Sequence, residues 1–139
     1  MANPAFATRY RLPDGRIAVD VTENKTLAAK DSGIVQNVIA NSIIVTLPAT
    51  AVVGSYVVRD GGVPTTGGPV GAVVKPAIVT VDPDAADTIA GLNVEGAAAD
   101  GKYVRNTAGR IGDEITITNG PTNGGYIDGA VIGDWLREA

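Results

Sequence analysis

The chain has no cysteine and no histidine. Without histidine there is no Ser–His–Asp triad, no imidazole acid–base pair and no His-ligated zinc. Without cysteine there is no disulfide, no thiol nucleophile and no thiolate metal site, and the redox compartment stays open. Aromatic residues are scarce too: one Phe, one Trp and four Tyr in 139 residues. No block of Lys and Arg occurs, and the net charge is −4. A nucleic-acid partner would call for a basic stripe to neutralise phosphates, so none is expected. No apolar run approaches the roughly 18 residues of a membrane span. Residues 1–6 lack a basic segment leading into an apolar one, so no signal peptide is expected. These readings predict a soluble protein made in the cytoplasm.

What is abundant is small or aliphatic. There are 18 glycines and 8 prolines, against about 12% for the two together in ordinary chains. The core must be built mostly from Val, Ile, Leu and Ala. A chain of this size can bury roughly two-thirds of its unfolded surface, enough for one core without metal or disulfide.

The stretch 43–59 sets the pattern for the rest. Ile43, Val45 and Leu47 fall on one side of an extended chain, because side chains alternate with a period of two. Pro48 ends that run, having no N–H for a ladder. After Gly54, Tyr56 and Val58 share one face, and Ser55, Val57 and Arg59 share the other. Asp60, Gly61 and Gly62 supply turn chemistry.

The theme recurs along the chain. Ile17, Val19 and Val21 alternate with Ala18, Asp20 and Thr22, and the stretch 34–39 reads as a further strand. Residues 27–30 make at most one turn of helix. The Gly/Pro/Thr-rich stretch 60–71 reads as an exposed loop. Residues 73–81 read as a strand interrupted by Pro76, and 103–105 as a short one. The stretch 111–118 is the cleanest, with Ile115 and Ile117 facing in and Glu114, Thr116 and Thr118 facing water. Residues 126–127 and 130–132 follow, and 133–136 close the pattern.

Strands spaced every 8 to 12 residues with Gly/Pro/Asn punctuation predict an all-β fold. The expected architecture is a compact antiparallel β-sandwich or jelly-roll-like barrel over 17–139, with an extended N-terminal arm at 1–16.

Carboxylates are the chemistry left. Asp113 and Glu114 are strand neighbours whose side chains diverge, so they do not share a proton. Asp82, Asp84 and Asp87 lie near enough for a calcium loop, but the spacing fits no EF-hand and Asp82-Pro83-Asp84 reads as an ordinary turn. The glycines of 61–71 lack the Gly-Lys-Ser/Thr and following helix of a phosphate loop. Arg59, Asp60, Lys102, Arg105 and Arg110 read as solvated or subunit-contact charges. No catalytic, cofactor or metal residue is assigned, and no enzyme activity is expected.

One ordered set of motifs carries a resemblance. Leu27-x-x-x-Asp31-Ser32-Gly33, Ile44-x-x-Leu47-Pro48, Gly54-x-Tyr56, Asp87-x-Ile89-x-Gly91, Gly112-Asp113-x-Ile115 and Gly133-Asp134-Trp135 follow one another over about 25–136. In this order the chain resembles a β-rich domain of tailed-bacteriophage virion proteins, found in head-decoration and fibre proteins. The loop 61–71 is longer than the simplest form of that pattern. Leu136 and a charged tail follow the Trp. Both leave open which virion component it is.

The resemblance implies a structural protein without catalytic residues. No heptad or collagen-like shaft accompanies the domain, which selects a capsid decoration (cement) protein over a fibre. Such a protein would sit on the outer surface of the mature head as a homotrimer bridging the major capsid protein. The alternative is a fibre-tip module binding a host receptor or glycan, which the poverty in aromatics disfavours. A two-carboxylate glycosidase is more remote.

The contact residues expected are Phe6, Tyr10 and Leu12 on the arm, with Trp135 as a core or interface plug. Two readings of the arm stand: it clamps the capsid or a neighbouring subunit, or it folds back on its own domain.

Overall fold

The computed structural model describes residues 8–49, 52–64, 75–85, 87–91, 94–106, 109–119 and 125–139, with backbone alone at 125 and 128. Phe6, residues 65–74 of the stretch expected as a loop, and residues 120–124 lie outside them. The described residues form twelve strands: β1 (Tyr10–Arg11), β2 (Ile17–Val21), β3 (Lys25–Thr26), β4 (Val35–Val38), β5 (Ile43–Thr46), β6 (Ser55–Asp60), β7 (Val79–Asp82), β8 (Thr88–Ala90), β9 (Val104–Asn106), β10 (Glu114–Asn119), β11 (Gly125–Ile132) and β12 (Trp135–Arg137). Among the described residues the single helical turn is a 3-10 turn at Ala29–Asp31.

Two sheets pack face to face as a sandwich. The larger runs β1-β2-β4-β6-β10-β11-β8 and the smaller β12-β9-β7-β5-β3. Neither closes on itself among the described residues, so the barrel alternative gives way to an open sandwich.

The expected strand direction is corrected: both sheets are mixed. From β2 to β7 the chain changes sheet at every connection, so spatial neighbours are alternate strands in sequence. Hence β2, β4 and β6 run parallel, as do β3, β5 and β7. Parallel neighbours need a crossover between them, and here a strand of the opposite sheet supplies it. From β2 to β6 the corners that turn the chain across are short. Gly33 (φ 79°) turns it into β4 and Ser42 (φ 59°) into β5. Only β10 and β11 form a long hairpin-like antiparallel pair.

Alternation fills the space between the sheets. Val21, Val38, Tyr56, Val58, Ile115, Ile117, Ile89 and Tyr126 of the larger sheet meet Ile43, Val45, Val79, Val81, Val104 and Trp135 of the smaller. Leu27, Leu47, Ala77 and Val94, outside the strands, join the same cluster. At roughly 1.5–3 kcal/mol for each large aliphatic side chain fully buried, this layer is the main favourable term of the fold.

Part of the expected arm is ordered strand. Tyr10 and Arg11 of β1 pair antiparallel with Ala18 and Ile17 of β2. The turn between them is closed by Gly15 N donating to Leu12 O at 2.9 Å and Leu12 N to Arg16 O at 2.8 Å.

Candidate functional site

The candidate site is the outer face of the seven-stranded sheet. Strand pairing places its residues in rows. One row runs Asp20, Asn37, Arg59, Glu114, Ile132, and the next Ala18, Val35, Val57, Thr116, Ala130. The first row is polar from β2 to β10, the exposed apolar side chains lie toward β11, and Ala18 and Val35 of the second row are fully buried.

The aliphatic end depends on a β-bulge. Thr116 pairs with Ala130 and Ile117 with residue 128, which leaves Gly129 as the extra residue. A bulge shifts the alternation by one. Ile127 and Ile132 are an odd number of residues apart, yet both face outward, opposite Thr118 and Glu114. They are 42% and 57% exposed, and Ile111 lies exposed in the turn ahead of β10. Without Gly129 the phase would send one of the two isoleucines inward. The two short runs expected at 126–127 and 130–132 are thus one strand.

The charged end is a closed network. Arg16 grips Glu114 in two parallel bonds, Nη1 to Oε2 and Nη2 to Oε1, each 2.8 Å, and its Nε donates to Asp14 Oδ2 at 2.8 Å. The Glu114 carboxylate is the main cause that holds this guanidinium charged. Glu114, expected in water, is buried beneath that arginine. Bidentate pairing of this kind fixes geometry as well as charge. Arg59 Nη1 donates to Asn37 Oδ1 at 2.9 Å, and Asn37 Nδ2 donates to Asp20 Oδ1 at 3.2 Å and to Tyr10 Oη at 3.0 Å.

Tyr10 donates its hydroxyl to Asp20 Oδ1 at 2.5 Å. Burial and then the Asp20 carboxylate push that hydroxyl above the usual tyrosine range. The hydroxyl of Tyr10 is therefore tied to its own domain, while Leu12 is half-buried in the adjoining turn. Trp135 is 3% exposed and belongs to the core, with Nε1 donating to Ile132 O at 3.0 Å. It has no surface to offer a partner.

Three further polar residues escaped the sequence reading. Asp60, taken there as a solvated or contact charge, is 0% exposed. Its carboxylate accepts from Gly62 N at 2.9 Å, Ala77 N at 3.1 Å and Asn106 Nδ2 at 3.3 Å. Asn106 and Arg137 are likewise buried. A signal existed: each stands two residues beyond a core residue on the same strand face, after Val58, Val104 and Trp135. Extending the alternation by one step puts all three inside.

Asp113 and Asp31 are buried too, while Arg105 and Arg110 lie outside. Arg105 is exposed, donates Nε to Thr80 Oγ1 at 3.0 Å and covers the Tyr103 ring at 4.6 Å from its centroid. At the Asp82–Asp87 turn, Asp87 N donates to Asp84 O at 2.8 Å. Among the described residues no group of three or more acidic side chains converges as metal ligands would.

No family model, no curated protein and no solved structure matches this chain.

Proposed function

We propose that this chain is a bacteriophage capsid decoration protein, a non-catalytic protein that binds the outer surface of the mature head as a homotrimer and stabilises the major capsid protein lattice. The observation that carries this reading is the outer face of the seven-stranded sheet. It presents exposed aliphatics, Ile111, Ile127 and Ile132, beside a hydrogen-bonded charged network. Exposed apolar side chains next to polar ones suit docking onto another protein. The resemblance of the motifs to phage head-decoration proteins supplies the partner. A domain that binds only the expanded lattice stabilises it by mass action. Most of the aromatic surface a glycan-binding tip would need is absent, since Tyr56, Tyr126 and Trp135 are buried.

The test is co-sedimentation with expanded and unexpanded heads of the tailed phage whose genome encodes the chain. The purified protein should be a trimer and should pellet with expanded heads alone. Replacing Ile127 and Ile132 together by Asp should leave the domain folded and weaken attachment at least tenfold. Deleting residues 1–7, which removes Phe6 and leaves β1 intact, tests the arm in the same assay, with weaker attachment expected. No association of the wild-type protein with expanded heads would remove the decoration reading.

A further inference from the structure

We infer that Asp60, Asn106 and Asp113 form a proton-responsive joint between the two sheets, one that holds the sandwich more firmly in mild acid than at neutral pH. The geometry is that of a polar knot inside an aliphatic layer. Asp60 ends β6 in the larger sheet, and Asn106 ends β9 in the smaller. The Asn106 amide faces both carboxylates, with Nδ2 at 3.3 Å from Asp60 Oδ2 and 3.5 Å from Asp113 Oδ2. The same nitrogen donates to Ala77 O at 3.0 Å, while Oδ1 accepts from Val79 N at 2.7 Å. Asp60 also gathers Gly62 N and Ala77 N, the two ends of the loop excursion between β6 and β7. Just beyond, Val63 and Lys75 pair as an antiparallel bridge. Gly133 closes the far side, where a Cβ would collide with the Asp113 carboxylate.

Two acids thus share one amide donor, both buried, and neither has an ion pair among the described residues. Asp113 is held by Arg110 through its backbone N–H, at 2.9 Å, and not through the guanidinium. The charged groups acting on Asp60 are Asp113, which opposes its ionisation, and Arg59 on the other face of β6, which favours it. Burial is the largest influence and pushes the Asp60 carboxyl above the usual carboxylate range. The N–H groups of Gly62 and Ala77 pull the other way. In the unfolded chain Asp60 returns to its ordinary value of 3.8.

The sign follows. The folded state binds this proton more tightly than the unfolded state, so stability rises as pH falls through the raised folded value. The gain is complete below 3.8. Asp82, raised by burial and by Glu138, contributes in the same direction. Asp14, exposed and lowered chiefly by the Arg16 backbone N–H, contributes in the opposite one at lower pH. The joint is a property of the isolated domain and does not depend on any capsid.

Urea unfolding from pH 7 to 4.5 of the wild type, Asp60→Asn and Asp82→Asn tests this. The folding constant of the wild type should rise on acidification relative to that of Asp60→Asn. One proton limits that rise to about tenfold per pH unit. Asp82→Asn should keep this component of the rise. Wild-type and Asp60→Asn profiles that run parallel would overturn the joint. Carboxyl-carbon NMR titration of the wild type decides the matter even where Asp60→Asn fails to fold. The Asp60 resonance should titrate above 3.8, and a midpoint at or below that value would equally overturn the proposal.

Discussion

Arg137→Ala should lower the unfolding free energy by about 3–5 kcal/mol, as several charge-assisted hydrogen bonds are lost and their acceptors left buried. Arg137 is 4% exposed, and its guanidinium is spent on backbone carbonyls. Nε donates to Ile89 O at 3.2 Å, Nη1 to Val94 O at 2.7 Å and to Gly96 O at 2.8 Å, and Nη2 to Gly91 O at 3.1 Å. One side chain from an edge strand of the smaller sheet thereby ties down β8, an edge strand of the larger, and the segment that follows it. Gly96 (φ 100°) lets the backbone come this close, since a Cβ there would press on Arg137 Cβ.

Removing the guanidinium leaves the carbonyls to whatever water can enter. Arg137→Met keeps most of the packing and none of the donors, so its loss should approach that of Ala. Arg137→Lys keeps one donor group and should recover part. Urea midpoints measured at unchanged m would report the differences. Amide exchange should accelerate first in β8 and around Val94. An Ala variant within about 1 kcal/mol of wild type would mean that the carbonyls are satisfied by other means.

Trp135→Ala should cost about 3–5 kcal/mol, the range for truncating a large buried aromatic. Trp135 packs inside the sandwich and its indole N–H is satisfied by Ile132 O, so both the apolar body and the polar handle are lost together. Trp135→Phe retains much of the body and should cost far less. As the chain's single tryptophan, it also reports unfolding directly, with emission shifting to the red as water reaches the ring. A Trp135→Ala variant with native stability but broken trimers would place the residue at an interface instead of in the core.

The inward–outward assignment was readable because it is local. Ile115 and Ile117 face the core and Thr118 the solvent, as alternation requires. Tyr56 and Val58 are buried on one face of β6 for the same reason. Alternation is blind to which strand lies alongside. The parallel neighbours β2, β4 and β6 follow from corners that send the chain to the opposite sheet, and a corner and a hairpin turn draw on the same Gly, Asn and Ser. The bulge at Gly129 was hidden because an extra residue shows only against a partner strand. The outer sheet face was legible only in part. The Tyr10 hydroxyl meets Asp20 and Asn37 at its β1 edge, while its aliphatic end depends on the phase shift in β11.

Composition and periodicity alone determined an all-β chain with an aliphatic core and no histidine or cysteine chemistry. Tertiary structure decided the strand order, the burial of Asp60, Asn106 and Arg137, and the composition of the outer sheet face. The physical reason is that a strand's faces are set by its own residues. The partners of a polar side chain at the end of a strand come from segments dozens of residues away.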